Sequence, residues 1–198
     1  MILNNLFPTP VARFEFGREF TKQELKFVDK QEKFQNSGNF TSLDRYILKR
    51  KEIEDINTFC EKSLAEYLQV IHAPKQDIKL RITQSWLNYT KKGEYHHKHR
   101  HPNSLVSAVF YIQANKENDK IFFFNDRLPR LDITTENFNV YNSNSWWLEA
   151  HTGILYLFPS TLEHQVETVK EDMRISLSFN TIPVGYNGDE ESLTALYL

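Results

Sequence analysis

Four of the seven histidines crowd into one short run, Tyr95-His96-His97-Lys98-His99-Arg100-His101-Pro102. Neutral imidazole is the side chain most often used to bind metals. His99 and His101 stand two residues apart, and in extended backbone such a pair points to one side. That makes them two adjacent ligands of one metal site. His97 and His99 have the same spacing, so the register stays open, although Pro102 and the small residues after it favour the later pair. The bland alternative is a surface histidine tract that takes up metal adventitiously. A third ligand must come from elsewhere, and His164 is the best candidate. It follows an apolar run closed by the turn Pro159-Ser160 and opens the run Gln165-Val166-Glu167. His151 is its rival, on the loop before Gly153, while His72 reads as an exposed helix end, well placed for the helix dipole.

Ten residues past His164 comes Arg174-Ile175-Ser176-Leu177-Ser178-Phe179-Asn180. Its alternation is strict, with Arg, Ser, Ser and Asn on one face and Ile, Leu and Phe on the other. The polar face could simply meet water. Inside a barrel, an arginine beside hydroxyls is also what binds a carboxylate, through two parallel charge-assisted hydrogen bonds. The nearby histidines favour the second reading.

The elements that must position these residues fall into two textures. Helices are expected over 21–34, where Thr21 and Glu24 form a capping box, and over 49–71. In the second, Ile53, Ile56, Cys60, Leu64, Tyr67 and Leu68 share one face. Cys60 on that face reads as a buried structural thiol rather than a nucleophile. Residues 36–39, Asn-Ser-Gly-Asn, read as a loop. After Pro74 come seven short β-like runs, 80–89, 105–113, 120–125, 145–149, 154–158, 165–169 and 173–180, with the histidine cluster on a loop between the first two. Such a series suggests a β-sandwich or barrel with the helices on one outer face.

Bulk properties set the frame. A chain of 198 residues fits one domain, and 40% hydrophobic residues describe a globular protein. The net charge of -2, with no basic block, gives no sign of a nucleic-acid partner. One cysteine and no signal-peptide pattern point to the reducing cytoplasm. No apolar stretch is long enough for a membrane helix.

Together these residues resemble the 2-oxoglutarate- and Fe(II)-dependent oxygenase superfamily. Its signature is a His-x-carboxylate pair, a distal His and then an Arg-x-Ser. The closer likeness is to a bacterial and phage branch with a His-x-His...His motif, and it covers most of the chain. It rests on Leu6-Phe7-Pro8-Thr9-Pro10-Val11, Trp86-Leu87-Asn88, Gly93, His99 to Ser104, Ser107 to Tyr111, Gly153 to Ser160, His164-Gln165-Val166 and Arg174-Ile175-Ser176. The resemblance implies a mainly β fold with N-terminal helices, a double-stranded β-helix or jelly-roll (cupin-like) barrel flanked by α-helices. It implies a single domain over 1–198, with a helical part over 1–75, the barrel over 76–183, and a tail or flap over 184–198.

By the same resemblance His99, His101 and His164 bind Fe(II). Arg174, helped by Ser176, holds the distal carboxylate of 2-oxoglutarate. Tyr111 reaches that carboxylate as well, and Asn88 lies toward the end nearest the metal. The implied activity is a hydroxylase that couples oxidative decarboxylation of 2-oxoglutarate to substrate oxidation, with O2 and an unidentified substrate as partners. Trp146 and Trp147 could line the pocket, and Arg127 and Arg130 could face an anionic substrate, although packed aromatics and solvated arginines explain them as simply.

One departure stands out. The usual site has a carboxylate where this chain has His101. Three neutral imidazoles leave the ion its full charge, so weaker discrimination against other metals and altered oxygen chemistry are expected. Glu94, Asp126 and Glu163 are the nearest carboxylates that could enter instead. Two other functions remain in play: a three-His cupin-type dioxygenase that ignores 2-oxoglutarate, and a non-catalytic metal-binding β-sandwich module.

Overall fold

The computed structural model describes residues 1–125 and 133–198. Elements run in chain order as β1 (Ala12–Glu15), α1 (Lys22–Asp29), β2 (Lys33–Gln35), β3 (Phe40–Ser42), α2 (Glu54–Tyr67), β4 (Lys79–Thr90), β5 (His96–His99), β6 (Val106–Gln113), β7 (Lys120–Phe124), β8 (Ser145–Glu149), β9 (Ile154–Pro159), β10 (His164–Val166), β11 (Arg174–Val184), β12 (Tyr186–Asn187) and β13 (Leu196–Tyr197). Short 3₁₀ turns lead into α2, and a π turn, Leu68–His72, ends it. Seven strands form a large sheet in the order β1-β9-β6-β11-β4-β3-β2, and four form a small one, β5-β10-β7-β8. All strand pairs within both sheets are antiparallel. This is the expected jelly-roll-like barrel with helices outside it.

Period-two alternation sorts the large sheet into two faces. Its outer face presents Leu87, Tyr89, Ala108, Phe110, Leu155, Leu157, Ile175, Leu177 and Phe179, which pack with Ile56, Cys60 and Leu64 of α2. Cys60 is fully buried, and burial pushes its thiol pKa up, so it is the structural thiol that its helical face implies. The inner face turns Tyr111, Val109, Tyr156 and Phe158 toward Ile121, Phe123 and Val166 of the small sheet. That second, smaller core closes one part of the interior. The polar side chains of β4 and β11 line the rest.

Three local differences from the sequence reading have clear causes. The capping box at the start of α1 is present: Glu24 N–H donates to Thr21 Oγ1, and Thr21 N–H donates to the Glu24 carboxylate. The helix nevertheless stops at Asp29, because 33–35 pair with 40–42 as a hairpin. Gly38 in its loop has φ +90°, and a Cβ there would meet the Tyr95 carbonyl oxygen at 2.8 Å. Only glycine fits. The part before residue 75 is thus more than helical, since β1, β2 and β3 extend the edges of the large sheet. The end of the chain folds back as the β12–β13 hairpin. Most consequential for the site, 96–99 is a strand and not a loop.

Candidate metal centre

His99, His101 and His164 converge. One ligand nitrogen from each lies within 4.8 Å of the others. Strand pairing brings two of them together, since His164 on β10 sits directly across from His99 on β5. His101 lies just past β5, where its N–H donates to the Ser160 carbonyl at 3.0 Å. Its Nε2 then stands 3.3 Å from Nε2 of His164. Two ligands about 2.1 Å from one ion sit roughly 3.0–3.4 Å apart at ordinary coordination angles. The spacing therefore suits a shared cation.

Backbone carbonyls orient two of these rings. His99 Nδ1–H donates to the His97 carbonyl at 2.7 Å, and His164 Nδ1–H donates to the Leu162 carbonyl at 3.0 Å. In each ring the lone pair is then on Nε2, the arrangement a metal-binding histidine needs. Burial is the main cause that lowers all three pKa values, to about 3 for His164 and about 4 for His101. The rings are neutral at pH 7 and their lone pairs are free for an ion. Phe158 and Phe123 wall His164, with ring centres at 4.7 and 6.2 Å, and Trp86 lies 5.9 Å from His101.

The rival ligands go elsewhere. His97 turns to the Ser37 carbonyl, and His151 to the Thr152 carbonyl. His72 is exposed at the end of the π turn. Glu163 pairs with Lys98 at 3.0 Å, and Glu94 accepts from Lys91 N–H. Asp126, like Arg127 and Arg130, lies outside the described residues. Among the described residues the cluster is all histidine.

The other expected residues share the inner face of the large sheet. Ser176 is across from Asn88 on one side and from Tyr111 on the other. Asn88 Nδ2 donates to Ser178 Oγ at 3.0 Å and reaches Ser176 Oγ at 3.5 Å. The buried Tyr111 hydroxyl and Asn88 Oδ1 have no hydrogen-bond partner among the described residues. Native folds leave few such groups, because each costs about 1–3 kcal/mol. A polar ligand entering the interior would satisfy them.

Arg174 is 3% exposed and is not idle: Nη1 donates to Asp119 Oδ1 at 2.8 Å and Nη2 to the Glu167 carbonyl at 3.2 Å. Asp119 was not singled out in the sequence, since it follows the Lys-Glu-Asn turn after β6 and resembles an ordinary loop acid. Its other oxygen accepts from Asn115 N–H. The guanidinium keeps three further N–H groups that make no hydrogen bond among the described residues. They suit a carboxylate, and the neutral nitrogen triad suits a divalent ion. Trp146 shares the inner register of Phe123 and His164 and is 40% exposed, whereas Trp147 lies on the opposite face under Lys120.

The family model described as Putative 2OG-Fe(II) oxygenase matches residues 84–180, the stretch that carries every residue of this site. None of the curated proteins matches the sequence. Among solved structures, a 2OG-Fe(II) oxygenase family oxidoreductase from Burkholderia pseudomallei is similar at 12% identity and a TM-score of 0.59, over 86% of this chain and 83% of that one. HygX from Streptomyces hygroscopicus, with nickel, 2-oxoglutarate and hygromycin B bound, is similar at 12% identity and a TM-score of 0.58, over 87% and 82%. SnoN, a non-haem alpha-ketoglutarate-dependent epimerase of nogalamycin biosynthesis, is similar at 10% identity and a TM-score of 0.62, over 88% and 76%. At these identities the structures speak for the fold alone, and it is residues 84–180 that carry the motif block of the 2OG-Fe(II) oxygenase family model.

Proposed function

We propose that the protein is an Fe(II)- and 2-oxoglutarate-dependent hydroxylase whose iron is held by His99, His101 and His164. The observation that carries this reading is the pairing, in one interior, of a convergent neutral triad with a buried arginine beside an unpartnered tyrosine hydroxyl. Iron and 2-oxoglutarate, when bound, supply oxygen activation through oxidative decarboxylation of the 2-oxo acid to succinate and carbon dioxide. The chain's share is binding, orientation and exclusion of water.

Each residue has a definable task. The triad brings no negative charge, so the ion's whole charge is available to attract the 2-oxo acid. Arg174 offers its remaining N–H groups to the distal carboxylate, and Tyr111 offers its hydroxyl. Because Asp119 balances the guanidinium charge, directed hydrogen bonds hold that carboxylate rather than net attraction. Ser176 and Ser178 set the Asn88 amide. Phe123, Phe158 and Trp86 keep the metal side dry, which strengthens every polar contact there. Trp146, at the open edge of the small sheet, is suited to flank the substrate. HygX, whose structure holds nickel with 2-oxoglutarate, supports the choice of cosubstrate. The buried, lone Cys60 supports a reducing, cytoplasmic setting.

Anaerobic titration tests the proposal. Protein with one equivalent of Fe(II) should develop the weak visible charge-transfer band of a chelated 2-oxo acid as 2-oxoglutarate is added. No band at saturation would sink it. Arg174 already being paired with Asp119 favours one second reading, a three-His dioxygenase that coordinates its substrate directly. That enzyme would consume oxygen regardless of 2-oxoglutarate and of Arg174→Ala.

A further inference from the structure

His96 is the one member of the histidine run whose ring is turned inward and is not part of the triad. Its direction follows from the strand register. His99 is across from His164 and His96 is across from Val166, with a bulge between the two pairs. The extra residue puts His96 and His99, three apart, on the same side of β5. Val166 belongs to the inner core, so His96 faces the interior too. Its ring stacks on His99 with centres 4.8 Å apart. It lies deep, within electrostatic reach of both His164 and Arg174, yet keeps some accessible surface. It is therefore partly open rather than sealed in a core.

Its tautomer can be read from its neighbours. The Asn39 side chain is fully buried, and its Oδ1 accepts from Asn36 Nδ2 at 3.1 Å. Its Nδ2 is thus the atom that donates to Thr90 Oγ1 and to His96 Nδ1, both at 3.2 Å. A nitrogen that accepts carries no proton, so in neutral His96 the proton is on Nε2. His99 and His164 have the opposite tautomer, with Nδ1–H on a carbonyl and a lone pair on Nε2. The same sequence run therefore holds two kinds of imidazole. One kind offers lone pairs to a cation. The other offers an N–H, which cannot bind a metal but can bind an anion's oxygen. No acceptor for that N–H is found among the described residues.

We propose that His96 is a further cosubstrate-binding residue, donating its Nε2–H to a carboxylate oxygen of the 2-oxo acid, and that Asn39 is the positioning residue that fixes its tautomer. This inference rests on the 2-oxoglutarate reading above and deepens it. It also explains why a buried asparagine, anchored by Asn36 in the β2–β3 loop, reaches across to the metal-binding strand.

The test uses the full chain loaded with Fe(II) under anaerobic conditions, titrated with 2-oxoglutarate and followed by the charge-transfer band. A charge-assisted hydrogen bond is worth about 1.5–3 kcal/mol, so His96→Ala should raise the 2-oxoglutarate Kd roughly 10- to 150-fold. Fe(II) stoichiometry should stay at that of the wild type. His96→Gln keeps an N–H donor and should recover most of the lost affinity. Asn39→Ala should weaken binding in part, and nitrogen NMR of the zinc-loaded protein should then show His96 losing its Nε2–H tautomer. An unchanged Kd in His96→Ala overturns the inference alone, as does loss of metal from that variant, which would make His96 a ligand. A wild-type protein that shows no band overturns the parent reading and this one with it.

Discussion

The two faces of β11 have the same backbone and opposite chemistry. Outward, Ile175, Leu177 and Phe179 are sealed in an apolar core against α2 and the neighbouring strands. Inward, Arg174, Ser176 and Ser178 are almost as buried, yet they sit among groups whose hydrogen bonding is incomplete, the Tyr111 hydroxyl and Asn88 Oδ1. The outer face is finished in the protein by itself. By the proposed reading, the inner face is finished when a polar ligand enters. If so, outer substitutions should move stability and leave ligands alone, and inner ones should move ligands first.

The largest effect is expected at the inner face's goal, the metal. His164→Ala removes one of the three proposed ligands and should abolish stoichiometric Fe(II) binding, a greater loss than the ~10–100-fold cost of deleting an outer-shell partner. Titration with Co(II) as a spectroscopic stand-in would measure it. A variant that still binds one ion tightly would make the triad incidental.

Arg174 is where the comparison is most exposed to failure, since it is an inner residue with an evident structural bond. Arg174→Ala leaves Asp119 buried without its partner, which costs about 3–5 kcal/mol. The double variant Arg174→Met with Asp119→Leu removes both charges and should regain most of that stability in urea unfolding. It should not regain 2-oxoglutarate binding. Recovery of stability without recovery of binding separates the two roles of one side chain.

How much of this was legible beforehand depends on the physics of each element. The alternation over 174–180 is visible because a strand buried on both faces, one apolar and one polar, writes its period into the sequence. Thr21 and Glu24 announce the start of α1 in the same way, through a local capping pair. The end of α1 was not visible, because the 33–35 hairpin strand is short and its pairing is tertiary. Strand β5 was hidden by composition: a run of histidines has no strong β preference, and its partner β10 lies 65 to 70 residues further along the chain. That hid the bulge as well, and with it the inward turn of His96. Asp119 was invisible for a similar reason, since only the fold brings it to Arg174.

At the outer face, Leu177→Ala opens a cavity in the packed core and should cost about 3 kcal/mol, within the range for buried leucine truncation. Fe(II) and 2-oxoglutarate affinities of the folded variant should match the wild type. A matching loss of cosubstrate affinity would show that the faces are coupled through the strand and are not separate. Acid should act on the inner side instead. Burial holds His164 at about 3 and His101 at about 4, against about 6.5 in the unfolded chain. Between those values the unfolded state binds more protons, so the stability of the metal-free protein should fall as pH drops from about 6.5 toward 4, by roughly 2 kcal/mol per pH unit for the two histidines together. Above pH 7 the contribution is complete and the curve should be flat. His164→Ala should make the acid slope shallower.

The smallest effect sharpens the comparison most, because Ser178 is one residue along the strand from Leu177 and is 9% exposed. Its hydroxyl accepts from Asn88 Nδ2, so Ser178→Ala frees one amide hydrogen in an interior that already contains unpartnered atoms. The cost should be about 1 kcal/mol, the ordinary net value of one hydrogen bond. Metal affinity should be unchanged, since the Ser178 hydroxyl bonds Asn88 and not a triad histidine. Asn88 is freed to rotate, so 2-oxoglutarate binding should weaken by a few-fold, roughly the equivalent of 1 kcal/mol or less. Two neighbouring residues would then report oppositely, Leu177 through urea midpoints and Ser178 through ligand titration. If Ser178→Ala instead cost as much stability as Leu177→Ala, the inner face would be a second structural core, and its unpartnered groups would no longer point to a ligand.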